Sequence, residues 1–337
     1  MVSALSPEVR SYLDEVRVHL RLDPDTEKRI IRELYTDFQD RMTDLQGRGL
    51  ARREAGITAV HELGRPRVIA RRMYEAHSRG SYTEAALAAL PHLILAILFA
   101  FHLWHDLILA PLAFASIAAV TVYGWWHGKP SWLYSWVGYS LLPLLIGGYA
   151  FRNTIAKSVT SLFWSEGSLP DVWLMMLALT FVLFSLWIII RTTIRVVKRD
   201  WLLTSLMLVP LPVMGGWLFD PDGAGNLFQG HSALAQPLDG PMALALICLA
   251  ATSAIFIRLR QRVLKFVALL AVGTLAMTTL VHYFSGRSDF FGLPAISLVL
   301  SAILLSPALL EAKVGHGEQS DEAWWESSSL EEPSANG

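Results

Sequence analysis

The sequence predicts an all-α membrane protein, in which a small cytoplasmic helical head precedes a polytopic bundle of about eight transmembrane helices. Of its 337 residues 53 % are apolar and the mean hydropathy is +0.41, which is unlike a soluble chain. Charges of both signs fill residues 1–80, whereas residues 81–311 are long apolar runs. Runs of about 20 residues indicate helices, because a β-barrel strand needs only about 10 residues of alternating polarity.

The head, residues 1–80, is predicted to contain four helices. A proline at the first helical position marks three of the starts, at Pro7, Pro24 and Pro66. The third helix is expected near residues 51–63 and ends at Gly64. Apolar side chains at helical spacing predict a shared core that includes Leu13, Val16, Leu20, Ile30, Ile31, Leu34, Phe38, Leu45, Ala55 and Ala59. These faces suffice for one small bundle.

Eight apolar runs in residues 81–311 are long enough to cross a bilayer. They lie near 85–105, 107–126, 132–151, 171–190, 201–219, 241–257, 264–284 and 291–311. With the N-terminus inside, the cytoplasmic flanks hold thirteen Lys or Arg, and the outer joins hold Arg152, Lys157 and Arg287. This asymmetry predicts eight crossings of the cell inner (plasma) membrane, with both termini in the cytoplasm.

Two runs share a faint internal echo, LPLLIGGYAF (142–151) and PLPVMGGWLF (210–219). The echo indicates either a repeat or chance, because Gly-Gly among common apolar residues arises easily. Pro210 and Pro212 are the strongest candidates for an unwound helix that shapes a cavity. The alternative is a tolerated kink that neighbouring helices accommodate.

The interior of the apolar runs is almost free of ionisable residues, which disfavours proton-coupled transport. Lys265 is close enough to a cytoplasmic end to snorkel. In HLWHD, His102, His105 and Asp106 would share one face of a continuing helix, and His282 would end its own helix at the same outer level. This set could bind zinc or copper or sense pH, or the histidines could simply bond water and lipid at the interface.

Catalytic and cofactor motifs are not found in the sequence. It contains no nucleophile elbow, phosphate-binding glycine loop, HExxH or carboxylate pair at catalytic spacing, so neither an enzyme nor a cofactor is predicted. A single cysteine, Cys248, excludes an intramolecular disulfide and a multi-thiolate zinc site. His92, inside the first run, is expected to form an interhelical hydrogen bond rather than bind a ligand.

The head also resembles a known family. Its first helix carries Tyr12, Leu13 and Val16, its second contains RELYTDFQDRM, a GRGL turn follows, and HELGRPRVIARRM ends it. Over residues 12–77 this pattern resembles the HAAS or permease-prefix family of small bacterial helical domains, which share the Leu-Gly-x-Pro step into the last helix. Two features depart from the family: GLARREAG lacks the Ser or Thr cap and the proline, and Arg65 replaces an acidic or small residue before the proline.

The resemblance implies a signalling domain on the cytoplasmic side, associated with PadR-type transcription regulators. We therefore expect a membrane regulatory or sensory protein whose head binds a cytoplasmic partner, and whose bundle anchors it or transmits a signal. The alternative is a permease or transporter subunit with a regulatory prefix, whose partner would be a transporter ATPase. The oligomeric state and the signal, substrate or lipid are left open by the sequence.

Candidate partner-binding residues lie in two places. Arg65, Arg67, Arg71 and Arg72 suggest a DNA-reading helix, but the short distance to the first membrane run and the balanced charge of the head disfavour direct nucleic-acid binding. They are expected to contact a partner and anionic lipid. The acidic tail, residues 312–337, is predicted to be disordered; its Trp324 and Trp325 suggest a docking motif, or an inert solvated segment.

Overall fold

The computed structural model describes residues 7–106, 108–151, 154–155, 157, 172–219, 239–285 and 292–314. Within these ranges all regular structure is helical and no strand occurs, which confirms the predicted all-α class. Five of the described helices are long and apolar enough to cross a membrane. The joins 151–171 and 220–240, between the third and fourth and between the fifth and sixth predicted runs, lie largely outside the described residues.

The head consists of four helices that start and end close to the predicted positions. They are α1 (Pro7–Leu20), α2 (Pro24–Gly47), α3 (Arg52–Leu63) and α4 (Pro66–His77). Asp23 caps α2, because its Oδ2 accepts a hydrogen bond of 2.9 Å from the backbone N–H of Thr26. Ala51 precedes α3 and offers no side-chain cap, in keeping with the departure from the family pattern.

The predicted core of the head is confirmed. Gly64 ends α3 with φ of 89°, a conformation that favours glycine and turns the chain into α4. At the centre, the ring of Tyr12 meets that of Phe38 edge to face, with centroids 5.3 Å apart. The buried apolar residues of the head are Val9, Tyr12, Leu13, Val16, Leu20, Leu22, Ile30, Ile31, Leu34, Phe38, Leu45, Ala55, Ala59, Ala70 and Tyr74.

Each of the eight predicted apolar runs contains helix. The helices are α5 (Tyr82–Ala100), α6 (Leu109–Trp126), α7 (Leu133–Ser140), α8 (Leu142–Ala150), α9 (Val172–Arg199), α10 (Trp201–Leu208), α11 (Pro210–Phe219), α12 (Asp239–Arg258), α13 (Arg262–Ser285) and α14 (Gly292–Val314). The five long candidates for membrane spans are α5, α6, α9, α12 and α13. Helix α9 continues beyond its apolar run, near 171–190, to Arg199, because no proline or glycine interrupts its basic last turns.

Two of the runs are interrupted, at the joins of α7 with α8 and of α10 with α11. Val209, before Pro210, keeps right-handed helical angles (φ −53°, ψ −40°), so the chain is kinked at this proline rather than unwound. The two interrupted segments pack against each other at Gly138. A Cβ placed on Gly138 would lie 2.2 Å from the carbonyl oxygen of Met207, so this contact requires glycine.

Helix α7 lies in the centre of the bundle, and α9 lies at its edge. Trp136 of α7 is 1 % exposed, and its Nε1 donates a hydrogen bond of 2.8 Å to the carbonyl oxygen of Leu87. In contrast, large apolar side chains of α9 such as Trp173, Phe184 and Trp187 are exposed. An exposed apolar helix of this length is the surface expected to face lipid.

Candidate functional site

The link between α4 and α5 binds the head to the bundle through three hydrogen bonds to backbone carbonyl groups. We call these contacts, made by Ser78, Gly80 and Arg258, the clasp. The backbone N–H of Gly80 donates a hydrogen bond of 3.0 Å to the carbonyl oxygen of Ile257, and Arg258 Nη1 donates one of 2.9 Å to the carbonyl oxygen of Gly80. Ser78 Oγ donates to the carbonyl oxygen of Arg260 at 3.2 Å. The end of the head therefore sits on the turn between α12 and α13.

A cluster of charged and polar side chains fills the space beneath this clasp. We call it the junction, and its members are Arg21, Tyr74, Asp200, Arg262, Lys265 and Glu311. At its centre, Asp200 lies between α9 and α10 with its side chain 4 % exposed. Its Oδ1 accepts a hydrogen bond of 3.0 Å from the backbone N–H of Leu202, and Arg262 donates to both carboxylate oxygens at 2.6 and 2.9 Å. Such paired geometry is what offsets the cost of burying a carboxylate.

Tyr74 brings α4 of the head into the junction. The guanidinium of Arg262 lies over its ring, 5.4 Å from the centroid, and Lys265 Nζ donates a hydrogen bond of 3.2 Å to its hydroxyl. Burial, and to a lesser extent the Asp200 carboxylate, raises the pKa of Tyr74 to about 12, so its hydroxyl stays neutral. Lys265 is 6 % exposed, so it reaches the head instead of snorkelling to water.

Arg21 connects the turn between α1 and α2 to the last helix, α14. Its Nη2 lies 3.0 Å from Oε1 of Glu311, whose side chain is 5 % exposed. Burial, followed by repulsion from Arg262, lowers the pKa of Arg21, whereas Glu311 and Asp200 raise it. Arg21 has a left-handed backbone (φ 52°), which costs energy for a residue other than glycine. The ion pair gives a reason for an arginine at this strained position.

Arg199, at the end of α9, ties the junction to the start of α7. Its Nη1 donates a hydrogen bond of 2.8 Å to the hydroxyl of Tyr134 and another to the carbonyl oxygen of Lys129. Its Nη2 is buried without a hydrogen-bond partner in the part of the chain that the structure describes. A buried guanidinium N–H without a partner is costly, so Arg199 carries an unmet hydrogen bond next to the junction.

Beside the junction lies a cavity of about 240 Å³ between the head and the bundle. Its walls come from the α1–α2 turn, the end of α4, the clasp, and the ends of α9 and α13. Basic residues in these walls are Arg21, Arg29, Arg79, Arg199 and Lys265, and acidic ones are Asp23, Glu84 and Asp200. The cavity is thus polar and carries more positive than negative groups.

A second polar cluster lies inside the bundle, around His92 of α5. His92 is 1 % exposed; its Nδ1 is 2.5 Å from the hydroxyl of Tyr139 and its Nε2 is 2.6 Å from Oγ of Ser253. The three residues come from α5, α7 and α12. The prediction that His92 forms interhelical hydrogen bonds is confirmed, and the cluster ties three helices together.

The predicted arginine candidates lie on the outer surface of the head. Arg65 precedes α4, and all four arginines are exposed. Arg67 Nε lies 3.9 Å from a carboxylate oxygen of Glu15, and Arg71 Nε lies 3.0 Å from one of Glu75. The structure therefore leaves Arg65 and Arg72 beside two exposed ion pairs, separate from the junction. Trp324 and Trp325 lie outside the described residues.

The histidine set of HLWHD is not arranged as a continuing helix would place it. Helix α5 ends at Ala100, and His102 has a left-handed backbone (φ 57°) that turns the chain. Asp106 instead starts α6, because its Oδ1 accepts hydrogen bonds of 2.8 Å from the N–H groups of Ile108 and Leu109; these bonds lower the pKa of Asp106.

The expectation of one shared face is therefore wrong. His105 and His282 lie on helices, but their side chains are outside the described part. Among the described side chains, no three His, Cys, Asp or Glu residues lie close enough to hold a metal ion.

The junction was not predicted from the sequence. Four of its members, Asp200, Arg262, Lys265 and Glu311, stand at the ends of apolar runs, where basic residues are expected for orientation alone. The sequence feature that could have indicated the junction is its acidic residues, because Asp200 and Glu311 stand at flanks otherwise rich in Lys and Arg.

No family model matches this sequence, and no curated protein and no solved structure is significantly similar to the chain.

Proposed function

We propose that the chain is a regulatory or sensory membrane protein of the cell inner (plasma) membrane. The head binds a cytoplasmic protein, and the bundle transmits a signal to it or anchors it. The observation that carries the proposal is the junction, in which side chains of the head meet buried charges of three separate helical segments of the bundle. A head that served merely as a soluble attachment would not need buried ionic contacts, which are costly to form.

Eight crossings with a cytoplasmic head agree with the contacts between the joins. Four residues lie at the same end of the bundle and contact the head, the clasp or one another: Lys129, Arg199, Arg260 and Glu311. Between successive members of this series the chain contains two apolar runs. Such a spacing fits a chain that leaves this end and returns to it four times, and the basic excess there favours the cytoplasmic side.

The surface of α4 is the proposed partner-binding face. Arg65, Arg67, Arg71 and Arg72 are exposed there, and α4 also carries Tyr74 into the junction. A partner that binds this helix would thus be connected to the bundle through one rigid element. The resemblance of the head to HAAS domains suggests a PadR-type regulator as the partner. The tail, with Trp324 and Trp325, offers a second contact.

Direct nucleic-acid binding is not part of this proposal. Arg67 and Arg71 lie close to the carboxylates of Glu15 and Glu75, which reduce the positive potential available to phosphates. An enzyme activity is not proposed either, and the sequence contains no motif that calls for a cofactor.

A permease or transporter subunit is the second candidate, and the interrupted helices favour it. Segments α7–α8 and α10–α11 pack side by side at Gly138 and Met207. Paired interrupted helices in corresponding positions are typical of transporter binding sites. In this candidate, the head would control assembly with a transporter ATPase.

Site-specific photo-crosslinking in living cells tests both candidates. A photoreactive amino acid would replace Arg67 or Arg72 in the full-length protein, with a matched control at Arg48 at the far end of α2. A crosslinked transcription regulator, absent from the control, would support the regulatory function. A transporter ATPase as the one specific product would favour the permease, and identical products at all three positions would refute a partner-binding face on α4.

A further inference from the structure

Each acidic group in the wall of the cavity beside the junction accepts a described hydrogen bond from a group other than the basic side chains of that wall. Asp23 accepts the N–H of Thr26, and Glu84 accepts the N–H of Ser81 at 2.6 Å. Asp200 is held by both terminal nitrogens of Arg262, which lies behind the wall. In the part of the chain that the structure describes, none of these three carboxylates accepts a hydrogen bond from a basic side chain of the cavity wall.

The basic groups of the same wall have capacity left. Arg199 Nη2 is buried and has no hydrogen-bond partner among the described residues. Lys265 bonds the hydroxyl of Tyr74 and forms no ion pair within the described part of the chain. Arg29 and Arg79 are exposed in the same wall and also have no described carboxylate partner. Four cationic groups thus surround one space with donors to spare.

We propose that this cavity binds a phosphate group. A phosphate offers several acceptor oxygens, which suit the fork of N–H donors on arginine and the point charge of lysine. The volume of about 240 Å³ is room for a phosphate and part of its substituent. Binding would neutralise positive charge between the head and the bundle.

Two sources can supply such a group, an anionic phospholipid headgroup and a soluble phosphorylated compound. The cavity is formed by the ends of apolar helices α9 and α13, at the level where headgroups of a surrounding bilayer would lie. The shared chemistry is the phosphate oxyanion, and the experiment separates the sources.

The test uses the purified full-length protein, stripped of lipid in an uncharged detergent at constant ionic strength. Thermal unfolding is followed by the fluorescence of its 12 tryptophans. Three additions are compared with sodium chloride: inorganic phosphate, phosphatidylglycerol, and phosphatidylcholine as a zwitterionic lipid. A ligand that binds the folded protein raises the unfolding midpoint in a concentration-dependent way.

The main variant is Arg29→Gln with Arg79→Gln, since both side chains are exposed and their loss leaves the fold intact. Arg32→Gln is the matched control, because Arg32 is exposed on the same helix and does not line the cavity. We expect the double variant to raise the half-saturating concentration roughly tenfold and the control to leave it unchanged.

Stabilisation by phosphatidylglycerol that the double variant weakens supports the site with a lipid as its occupant. Stabilisation by inorganic phosphate with the same dependence supports the site with a soluble occupant. The proposal is overturned if neither addition exceeds chloride and phosphatidylcholine, or if the Arg32→Gln control responds like the double variant.

Discussion

Arg262 donates hydrogen bonds of 2.6 and 2.9 Å to the two carboxylate oxygens of Asp200, whose side chain is 4 % exposed. The pair joins the α9–α10 turn to the start of α13. Because Arg262 also lies over the ring of Tyr74, a shift of α13 relative to α9 would change the contact between Arg262 and Tyr74 in the head. Regulatory coupling between the bundle and the head would require this contact to switch between two discrete arrangements.

Asp200→Asn should destabilise the protein by about 2 kcal/mol, because it leaves the partly buried guanidinium of Arg262 beside a neutral group. Asparagine can still cap α10 through its Oδ1, but it loses the charge and one of the two acceptors for Arg262. Unfolding by SDS in mixed micelles measures the effect. Asp44→Asn is the control, since its pair with Arg48 is more than 60 % exposed and should be worth less than about 1 kcal/mol. Equal effects of the two changes would argue against a stabilising pair at Asp200.

A double-mutant cycle on Arg21→Gln and Glu311→Gln should give a coupling energy of about 1.5 kcal/mol, because both side chains are largely buried and 3.0 Å apart. Unfolding by SDS in mixed micelles again measures the free energies of the variants. The exposed pair of Arg41 and Glu62, 3.6 Å apart, provides the comparison and should couple by less than about 0.5 kcal/mol. A coupling near zero would mean that the head and α14 do not interact through this pair.

Gly138→Ala should destabilise the bundle by about 2 kcal/mol, because the new Cβ would lie 2.2 Å from the carbonyl oxygen of Met207. Gly148→Ala is the matched control in the following helix. Nothing lies within 4 Å of a Cβ at that position, so alanine should be neutral or stabilise α8 by about 0.5 kcal/mol. Thermal unfolding midpoints of both variants check the difference, and a neutral Gly138→Ala would show that α7 and α10 are farther apart.

The hydrogen bonds of His92 should contribute measurably to the packing of α5, α7 and α12. Ser253→Ala is expected to cost about 0.6 kcal/mol, and His92→Ala roughly 2 kcal/mol, because the latter also leaves a void. Ser140→Ala is the control, since its Oγ bonds the carbonyl oxygen of Val137 in its own helix. The unfolding midpoints should follow this order; an effect of Ser253→Ala no larger than that of Ser140→Ala would contradict an interhelical bond.

Local features of the fold could be predicted from the sequence, and long-range ones could not. The starts of α2 and α4 and the end of α3 depend on Pro24, Pro66 and Gly64, whose backbone preferences act within a few residues. The ion pair between Arg21 and Glu311 depends on which helix ends meet, and no periodic pattern carries that information. The expected helix through HLWHD was wrong because His102 adopts a left-handed turn that its residue type does not announce.

The proposed partner-binding residues show the same division. Arg65, Arg67, Arg71 and Arg72 could be singled out because they form a basic cluster in the sequence, and the structure places all four on the surface. Asp200 and Lys265 could be placed at the ends of apolar runs, but not beside Tyr74. Whether the side chains of Asp200 and Lys265 face water or the head depends on contacts between helices that are distant in the sequence.

Tyr12→Phe should stabilise the head, because the hydroxyl of Tyr12 is buried without a hydrogen-bond partner among the described residues. Removing it relieves an unmet hydrogen bond and keeps the edge-to-face contact with Phe38, so a gain of about 1 kcal/mol is expected. Burial, and secondarily Glu15, raises the pKa of Tyr12 above its ordinary value of 10.0. The wild type should therefore lose stability relative to the variant as the pH rises past 10.0, where the unfolded tyrosine ionises before the folded one. Unfolding midpoints of both proteins across this range measure the difference; a destabilised variant, or a difference independent of pH, would show that the hydroxyl has a partner.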